Sequence, residues 1–349
     1  MRPLAGKGLP AVQSDMSGQS HLILPERRSR MARWAGYVAG ILVLAACAGA
    51  LYQQIGGMLD RRFNPPPGRF VLVDGLRMHL VCTGQGSPTV VLDSGLSNTW
   101  LHWYKVQPEV AKFTRVCSYD RAGLGWSDPW PGPRTSKVIA QELHVLLRNA
   151  GVAPPFVLVG HSIGGLNMQM YASLYRSEVS GMVLVDSVHA DQNRFFGAEY
   201  QRGSDYWTGF MKRNLRLMPF GIPRLLGWCG TALADRRAEF RAFDCTAQQV
   251  RGWLAEEAGS DASAAQVRAT GPFGDLPLVV VSRGPENTQQ SFLKVWYTLQ
   301  VSLAQRSTRG RRVIAERAGH DIHLDRPDVV IAAIRDVWGE SLGARLGPL

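Results

Sequence analysis

The run Gly160-His161-Ser162-Ile163-Gly164 follows the apolar stretch Phe156-Val157-Leu158-Val159 directly. A serine hydroxyl becomes a nucleophile only when a base takes its proton and the backbone presents it to substrate. A sharp turn between a buried strand and a helix does the second job. It turns the hydroxyl out of the sheet, and the flanking glycines tolerate the backbone strain and let the helix pack close. The first turn of the helix also leaves N–H groups without internal partners, and these can face a developing oxyanion. The chemistry this suits is acyl transfer through a covalent serine intermediate. A G-x-S-x-G run also arises by chance. Read blandly, it is a Gly-rich helix start with a capping serine, so its weight rests on the strand before it and the helix after it.

Those elements are legible around it. Phe70 to Val73 and Met78 to Cys82 flank an Asp74-Gly75 turn, a hairpin signal. Apolar, β-branched runs follow at Thr89 to Leu92, Thr114 to Tyr119, Phe156 to Val159, Gly181 to Val185, Leu276 to Val281 and Arg312 to Ala315. Helical spacing separates them at Val138 to Leu147, Ile163 to Tyr175, about Gln289 to Gln305 and Pro327 to Trp338. Strands that alternate with helices imply a parallel sheet covered on both faces. Residues 190–273 break the rhythm. They hold no clear strand, show helical patches at Asp235 to Ala242 and Ala247 to Glu257, and are rich in aromatics such as Phe195, Phe196, Tyr200, Trp207, Phe210 and Trp228. They read as a helical insertion over the strand ends, suited to a hydrophobic acyl or alcohol group.

With these residues in place, the chain resembles the α/β-hydrolase superfamily, specifically its lidded bacterial esterase-like members. Four further segments match in order. Val90-Val91-Leu92 leads into Asp93-Ser94-Gly95-Leu96, where the family usually carries His-Gly. Tyr119-Asp120-Arg121-Ala122-Gly123-Leu124-Gly125-Trp126-Ser127 follows, then Val183-Leu184-Val185-Asp186, then Ala318-Gly319-His320 with Pro327 beyond. The resemblance implies a mostly parallel eight-stranded sheet with helices on both faces, a helical cap insertion, and no cofactor or metal. It implies Ser162 as nucleophile, His320 as general base, and the N–H groups of Leu96 and Ile163 as the oxyanion hole. The family's acid follows the seventh strand, which places it at Glu286. Asp186 is the alternative acid, since some members carry it at the end of the preceding strand. His161 is expected to pack and hydrogen-bond beneath the turn. His189 and His323 read first as satisfied loop histidines, with an approach to the site mouth as the alternative, and His102 and Trp103 follow the oxyanion turn, where lining the pocket and packing are equally open. Asp120 and Arg121 read as a buried pair that orders nearby loops.

A serine rather than an aspartate at position 162 excludes the alkyl-ester chemistry of dehalogenases and epoxide hydrolases. Hydrolysis of a small-molecule carboxylic ester is the leading expectation. Peptidase or amidase, lactonase, thioesterase and acyltransferase activities use the same triad. A non-catalytic, membrane-tethered binding protein is the rival from another class.

The sequence of 349 residues carries a formal charge of +11, and its 45% hydrophobic content suffices for a large core. Many arginines sit near the N-terminus (Arg27, Arg28, Arg30, Arg33), with no basic run in the folded part, which argues against a nucleic-acid partner. Trp34 to Tyr52 is a stretch of 19 uncharged residues, about 28 Å of helix and close to a bilayer core. Arginines before it and aromatics at both ends fit a signal anchor with the domain outside the cytoplasm, periplasmic or at the cell surface. Leu44-Ala45-Ala46-Cys47 also resembles a lipobox that would lipidate Cys47, and a cleaved secretory signal is the third reading.

The expected organisation is then a disordered basic segment at 1–33, a transmembrane anchor at 34–55 and a linker at 56–69. The first part of the hydrolase core spans 70–189, the helical cap 190–273 and the second part of the core 274–349. None of the five cysteines forms a C-x-x-C pair, which argues against a metal site. The resemblance makes Cys82 and Cys117 neighbours in the sheet, open to a disulfide in an oxidising space. Cys229 and Cys245 could pair within the insertion.

Overall fold

The computed structural model describes residues 24–285 and 290–346. The chain divides into two units, 1–48 and 49–349. Both contribute to helix α1, Leu24–Phe63. This is the one helix among the described residues long and apolar enough to cross a membrane. Within the first unit its apolar residues, among them Trp34, Ile41 and Leu44, are exposed. Of the segment expected to be disordered, residues 1–23 lie outside the described residues and 24–33 are helical. The helix also runs past the expected boundary at 55, to Phe63. It ends where Pro65, Pro66 and Pro67 begin, since proline supplies no N–H and restricts the residue before it. The stiff spacer is therefore Asn64 to Gly68 alone.

The second unit is built on eight strands: β1 Arg69–Val73, β2 Leu76–Thr83, β3 Thr89–Asp93, β4 Val116–Tyr119, β5 Phe156–His161, β6 Val179–Val185, β7 Leu278–Arg283 and β8 Gly310–Ala315. Their order in the sheet is β1-β2-β4-β3-β5-β6-β7-β8. Only β2 runs against its neighbours, and from β4 to β8 every pairing is parallel. The antiparallel register sets Cys82 opposite Cys117, and the two form a disulfide.

The period-two alternation of strand side chains divides the core in two. Val91, Leu158, Leu184 and Val280 point to one face, where they pack with Leu143, Leu146, Leu166 and Met170 of helices α3 Ser136–Asn149 and α4 Ile163–Leu174. Val90, Val157, Val159, Val183 and Val281 point to the other, against Val330, Ile334 and Val337. Those three belong to the last helix of the chain, at 327–346. A short helix, α2 Gln107–Val110, adds Val110 to this second layer.

Between β6 and β7 lies the helical insertion: α5 Gln192–Leu217, α6 Ile222–Leu225, α7 Arg237–Asp244, α8 Ala247–Ala258 and α9 Ser260–Arg268. Helix α5 bends at Gly197, whose φ of 60° leaves the helical region. Cys229 and Cys245 form a disulfide inside the insertion. After β7 come α10 Gln290–Ala304, α11 Ile322–Asp325 and α12 Pro327–Leu346. Residues 49–63 of α1 pack on the insertion. Gln53 Nε2 donates to the Cys245 carbonyl at 2.8 Å, Asp60 pairs with Arg224, and the Arg61 guanidinium lies 5.6 Å from the Trp126 ring centroid.

The sheet interior sets the stability of the second unit. Leu158, 0% exposed at the centre of β5, is the residue to test. Leu158→Ala is expected to destabilise the protein by about 2–5 kcal/mol, measured by urea unfolding. A loss under about 1 kcal/mol would contradict the packing described.

Candidate active site

Ser162 stands where β5 hands over to α4, with φ 53° and ψ −123°. A non-glycine residue in that region is strained and persists only when its surroundings hold it there. The surroundings are close-packed glycines. A Cβ at Gly160 would lie 2.6 Å from the Gly164 carbonyl oxygen, and one at Gly164 would lie 2.6 Å from the carbonyl oxygens of Asp93 and Ser94. Helix α4 therefore sits against the β3 turn only because these positions carry no side chain.

His320, on the loop between β8 and α11, reaches across to this serine. Its Nε2 is 3.0 Å from Ser162 Oγ, and its Nδ1 is 2.6 Å from Asp186 Oδ2. The carboxylate hydrogen-bonded to the imidazole is Asp186, just after the end of β6. Glu286 lies outside the described residues. Asp186 has a φ of 42°, so two strained strand ends, at 162 and 186, carry two of the three groups.

The Asp186 carboxylate is fully buried and surrounded by donors. Trp296 Nε1 donates to Oδ1 at 2.7 Å and the Arg283 backbone N–H to the same oxygen at 3.1 Å. Arg283 Nε donates to Oδ2 at 2.7 Å, and its Nη2 is 2.5 Å from that oxygen. Burial pushes the carboxyl upward, but the bond from His320 and the charges of His320 and Arg283 outweigh it and hold it below the usual carboxylate range. The guanidinium lies 4.9 Å from the Trp296 ring centroid and 5.4 Å from that of Phe292. Its Nη2 is also 2.8 Å from His320 Nδ1. That nitrogen can donate to Asp186 or accept from Arg283, and only the first leaves a lone pair on Nε2 facing Ser162.

Neither Arg283 nor Trp296 was visible as a site residue in the sequence. Arg283 reads as the polar end of an apolar strand, and Trp296 as one apolar position of α10. The positive-φ pair at 162 and 186 would have been a signal, but φ is not readable from residue types.

The turn after β3 is pinned by a second buried cluster. Arg121 Nη1 donates to Asp93 Oδ1 at 2.6 Å and to the Ser94 carbonyl at 2.7 Å. Nη2 donates to the Gly95 carbonyl at 2.7 Å, and Nε donates to Glu256 Oε1 of α8 at 2.6 Å. Ser97 N–H donates to the same glutamate at 3.1 Å. The expected pairing of Asp120 with Arg121 is not made. Asp120 bonds His79 at 2.9 Å, because neighbouring side chains on extended backbone point opposite ways. Leu96 and Ile163 line one cavity with Ser162, and Ile163 opens α4, where an N–H has no intrahelical acceptor.

The other histidines divide. His161 is buried, and its Nε2 lies 3.0 Å from the His320 carbonyl oxygen. Burial first, then the neighbouring His320, holds its pKa well below the ordinary value, so it is a neutral brace for the His320 loop. His189 lines the cavity. His323 is buried beside His161, with ring centroids 4.3 Å apart. His102 is buried and accepts from Thr99 N–H at 3.1 Å, and neither it nor Trp103 is among the cavity residues. Among the described residues, His161, Asp321 and His323 bring potential metal ligands within 4.8 Å of one another.

The cavity, about 380 Å³, has an apolar part at Leu96, Ile163, Leu166, Val188 and Leu254 and a polar part at Gln201, Ser204, Asp205, Thr208 and Lys212. Among the described residues, Trp207, Phe210 and Trp228 are not part of its lining. Trp207 and Phe210 form a cluster of their own with Trp228, because α5 turns its polar face to the cavity.

Comparison with known proteins bears on the fold. A family model described as the alpha/beta hydrolase fold matches residues 88–220. The uncharacterized protein YqjL of Bacillus subtilis is 25% identical over 267 residues, covering 76% of this chain and 90% of that protein. The uncharacterized protein C23C11.06c of Schizosaccharomyces pombe is 29% identical, and the match covers 80% of this chain but 57% of that one. An esterase structure from Thermogutta terrifontis superposes with a TM-score of 0.57 at 20% identity, covering 78% of this chain and 98% of its own.

The charge balance at Asp186 has a pH signature. Its folded pKa lies below the unfolded value, so its contribution to stability is present above about pH 4 and lost as pH falls through the folded value. Arg283→Met is expected to cost about 1–3 kcal/mol at pH 7, read from urea unfolding in detergent, with the gap to wild type narrowing as Asp186 becomes protonated. A gap constant from neutral to acid pH would contradict the pairing.

Proposed function

Because this chain is an α/β-hydrolase-fold protein, we propose that it is a serine hydrolase that cleaves a carboxylic ester through an acyl-enzyme on Ser162. The observation that carries the reading is the unbroken line from Ser162 Oγ to His320 Nε2 at 3.0 Å and from His320 Nδ1 to Asp186 Oδ2 at 2.6 Å. Ser162 Oγ attacks the ester carbonyl carbon while its proton passes to His320 Nε2. The carbonyl electron pair moves to oxygen, where the N–H groups of Ile163 and Leu96 receive it. On collapse, the alcohol leaves with the proton from His320. Water then attacks the acyl carbon, again giving its proton to His320, and the carboxylic acid departs as Ser162 recovers its hydrogen. Asp186 keeps the imidazole oriented and balances its charge in both halves.

The acyl group lies in the apolar part of the cavity, against Leu166, Val188 and Leu254, and the alcohol side meets the polar residues of α5. We place the hydrolase outside the cytoplasm, anchored by α1. Two disulfides support this, since such bonds persist in oxidising compartments.

Labelling with a fluorophosphonate and turnover of a p-nitrophenyl ester series test the reading together. Wild type should label and turn over, and Ser162→Ala should do neither. Asp186→Asn should lose on the order of 10⁴ in turnover, by analogy with the serine-protease triad, while Glu286→Gln stays near wild type. Failure to label, or a larger loss at Glu286 than at Asp186, would overturn the assignment.

A further inference from the structure

Helix α5 has two faces with different chemistry. Ser204, Thr208 and Lys212 turn toward the cavity that holds Ser162. The opposite side bears Tyr206 and Trp207, 66% and 52% exposed. Their rings form a chain with Phe210 and Trp228: Tyr206 to Trp207 at 5.6 Å, Trp207 to Phe210 at 5.6 Å and Phe210 to Trp228 at 5.7 Å. The turn that follows α5 adds Phe220, Leu225 and Leu226, 43%, 73% and 53% exposed. So many large apolar groups together in water mark a contact surface rather than scattered exposure.

Two observations identify what covers it. The first is position. The Phe220 to Leu226 turn packs on α1 where that helix's uncharged run ends: a Cβ at Gly221 would lie 2.9 Å from the Tyr52 ring, and Arg224 Nε donates to Gln53 at 3.3 Å. The segment therefore adjoins residues 49–53 of α1, at the end of its uncharged run. The second is charge. Arg202, Arg213 and Arg216 are exposed on α5, and Arg213 lies 5.3 Å and 5.8 Å from the ring centroids of Phe210 and Trp228. Aromatic rings beside arginines are the composition of a membrane interface, where rings sit at headgroup depth and cations meet anionic lipid.

We propose that this face of the insertion, from Tyr206 to Trp228, docks on the surface of an anionic bilayer as a second membrane contact beside α1. The inference rests on reading α1 as the anchor and deepens the proposed function. With one face of α5 on lipid and the other on the cavity, the hydrolase is set to take esters that partition into the membrane.

The test uses the full chain in nanodiscs of phosphatidylcholine and phosphatidylglycerol, with lipids brominated high on the acyl chain as quenchers. Wild type should lose tryptophan fluorescence to bromine, and Trp207→Phe with Trp228→Phe should remove a distinct part of that loss. Trp34→Phe removes the part that belongs to the anchor. If Trp34 is quenched while Trp207 and Trp228 are not, the docking is overturned, whether the face is bare or covered by a second copy. If Trp34 is not quenched, the anchor reading falls and the proposal with it. In a parallel assay, Leu225→Ser with Leu226→Ser should slow turnover of a long-chain ester embedded in the disc by about tenfold or more and leave a soluble short-chain ester unaffected. Equal effects on both substrates would overturn the proposal. An enzyme inert toward both esters would count against the hydrolase reading, while the quenching still decides the docking.

Discussion

A carboxylate with no exposure to water, at the end of β6, is the constraint around which the rest is arranged. Stripping an ion of its hydration costs several kcal/mol even after the protein relaxes, so Asp186 stays charged only because donors converge on it. They come from three separate elements: Arg283 at the end of β7, Trp296 in α10 and His320 on the loop after β8. Adjacent parallel strands bring Asp186 and Arg283 together, since Val185 pairs with Val281 and the chain ends stay in step. The sheet register is thus also the geometry of the site.

Arg283 sharpens that arrangement. It compensates Asp186 and competes for the same imidazole nitrogen, so the orientation of His320 depends on which of two neighbours holds Nδ1. Another cation, the buried Arg121, does comparable work at the turn after β3. It binds the turn that carries Leu96 and, through Glu256, ties that turn to the insertion. One guanidinium holds the Asp186 carboxylate and the other the backbone turn before Leu96. Both are fixed by residues distant in sequence, so the insertion is part of the machinery that shapes the cavity.

Much of this was legible beforehand, and the boundary of legibility is physical. All eight strands were readable because apolar, β-branched runs bounded by turn residues report local structure. Ser162 was readable because its glycines and the strand before it are contiguous. The acid was harder. Asp186 directly follows an apolar run and Glu286 follows one by several residues, and choosing between them requires knowing how β6, β7 and the His320 loop align in space. Arg283 and Glu256 gave no signal, since their partners lie in other elements. The facing of the insertion is unreadable for a related reason. Its aromatics suit a hydrophobic pocket or mutual packing equally well, and only the fold shows α5 turning Ser204, Thr208 and Lys212 to the cavity. The expected linker begins at 56, where the apolar run has given way to polar residues, whereas the helix runs on to Phe63 and ends only where proline removes its donors.

The account stands on the proton at one nitrogen of one ring. Nitrogen-15 NMR of histidine-labelled protein in detergent, with His320 assigned through His320→Gln, reports which ring nitrogen carries hydrogen in the resting state. The arrangement requires it on Nδ1, hydrogen-bonded to Asp186, with Nε2 bare toward Ser162. A spectrum placing it on Nε2, with Nδ1 accepting from Arg283, would contradict the central claim.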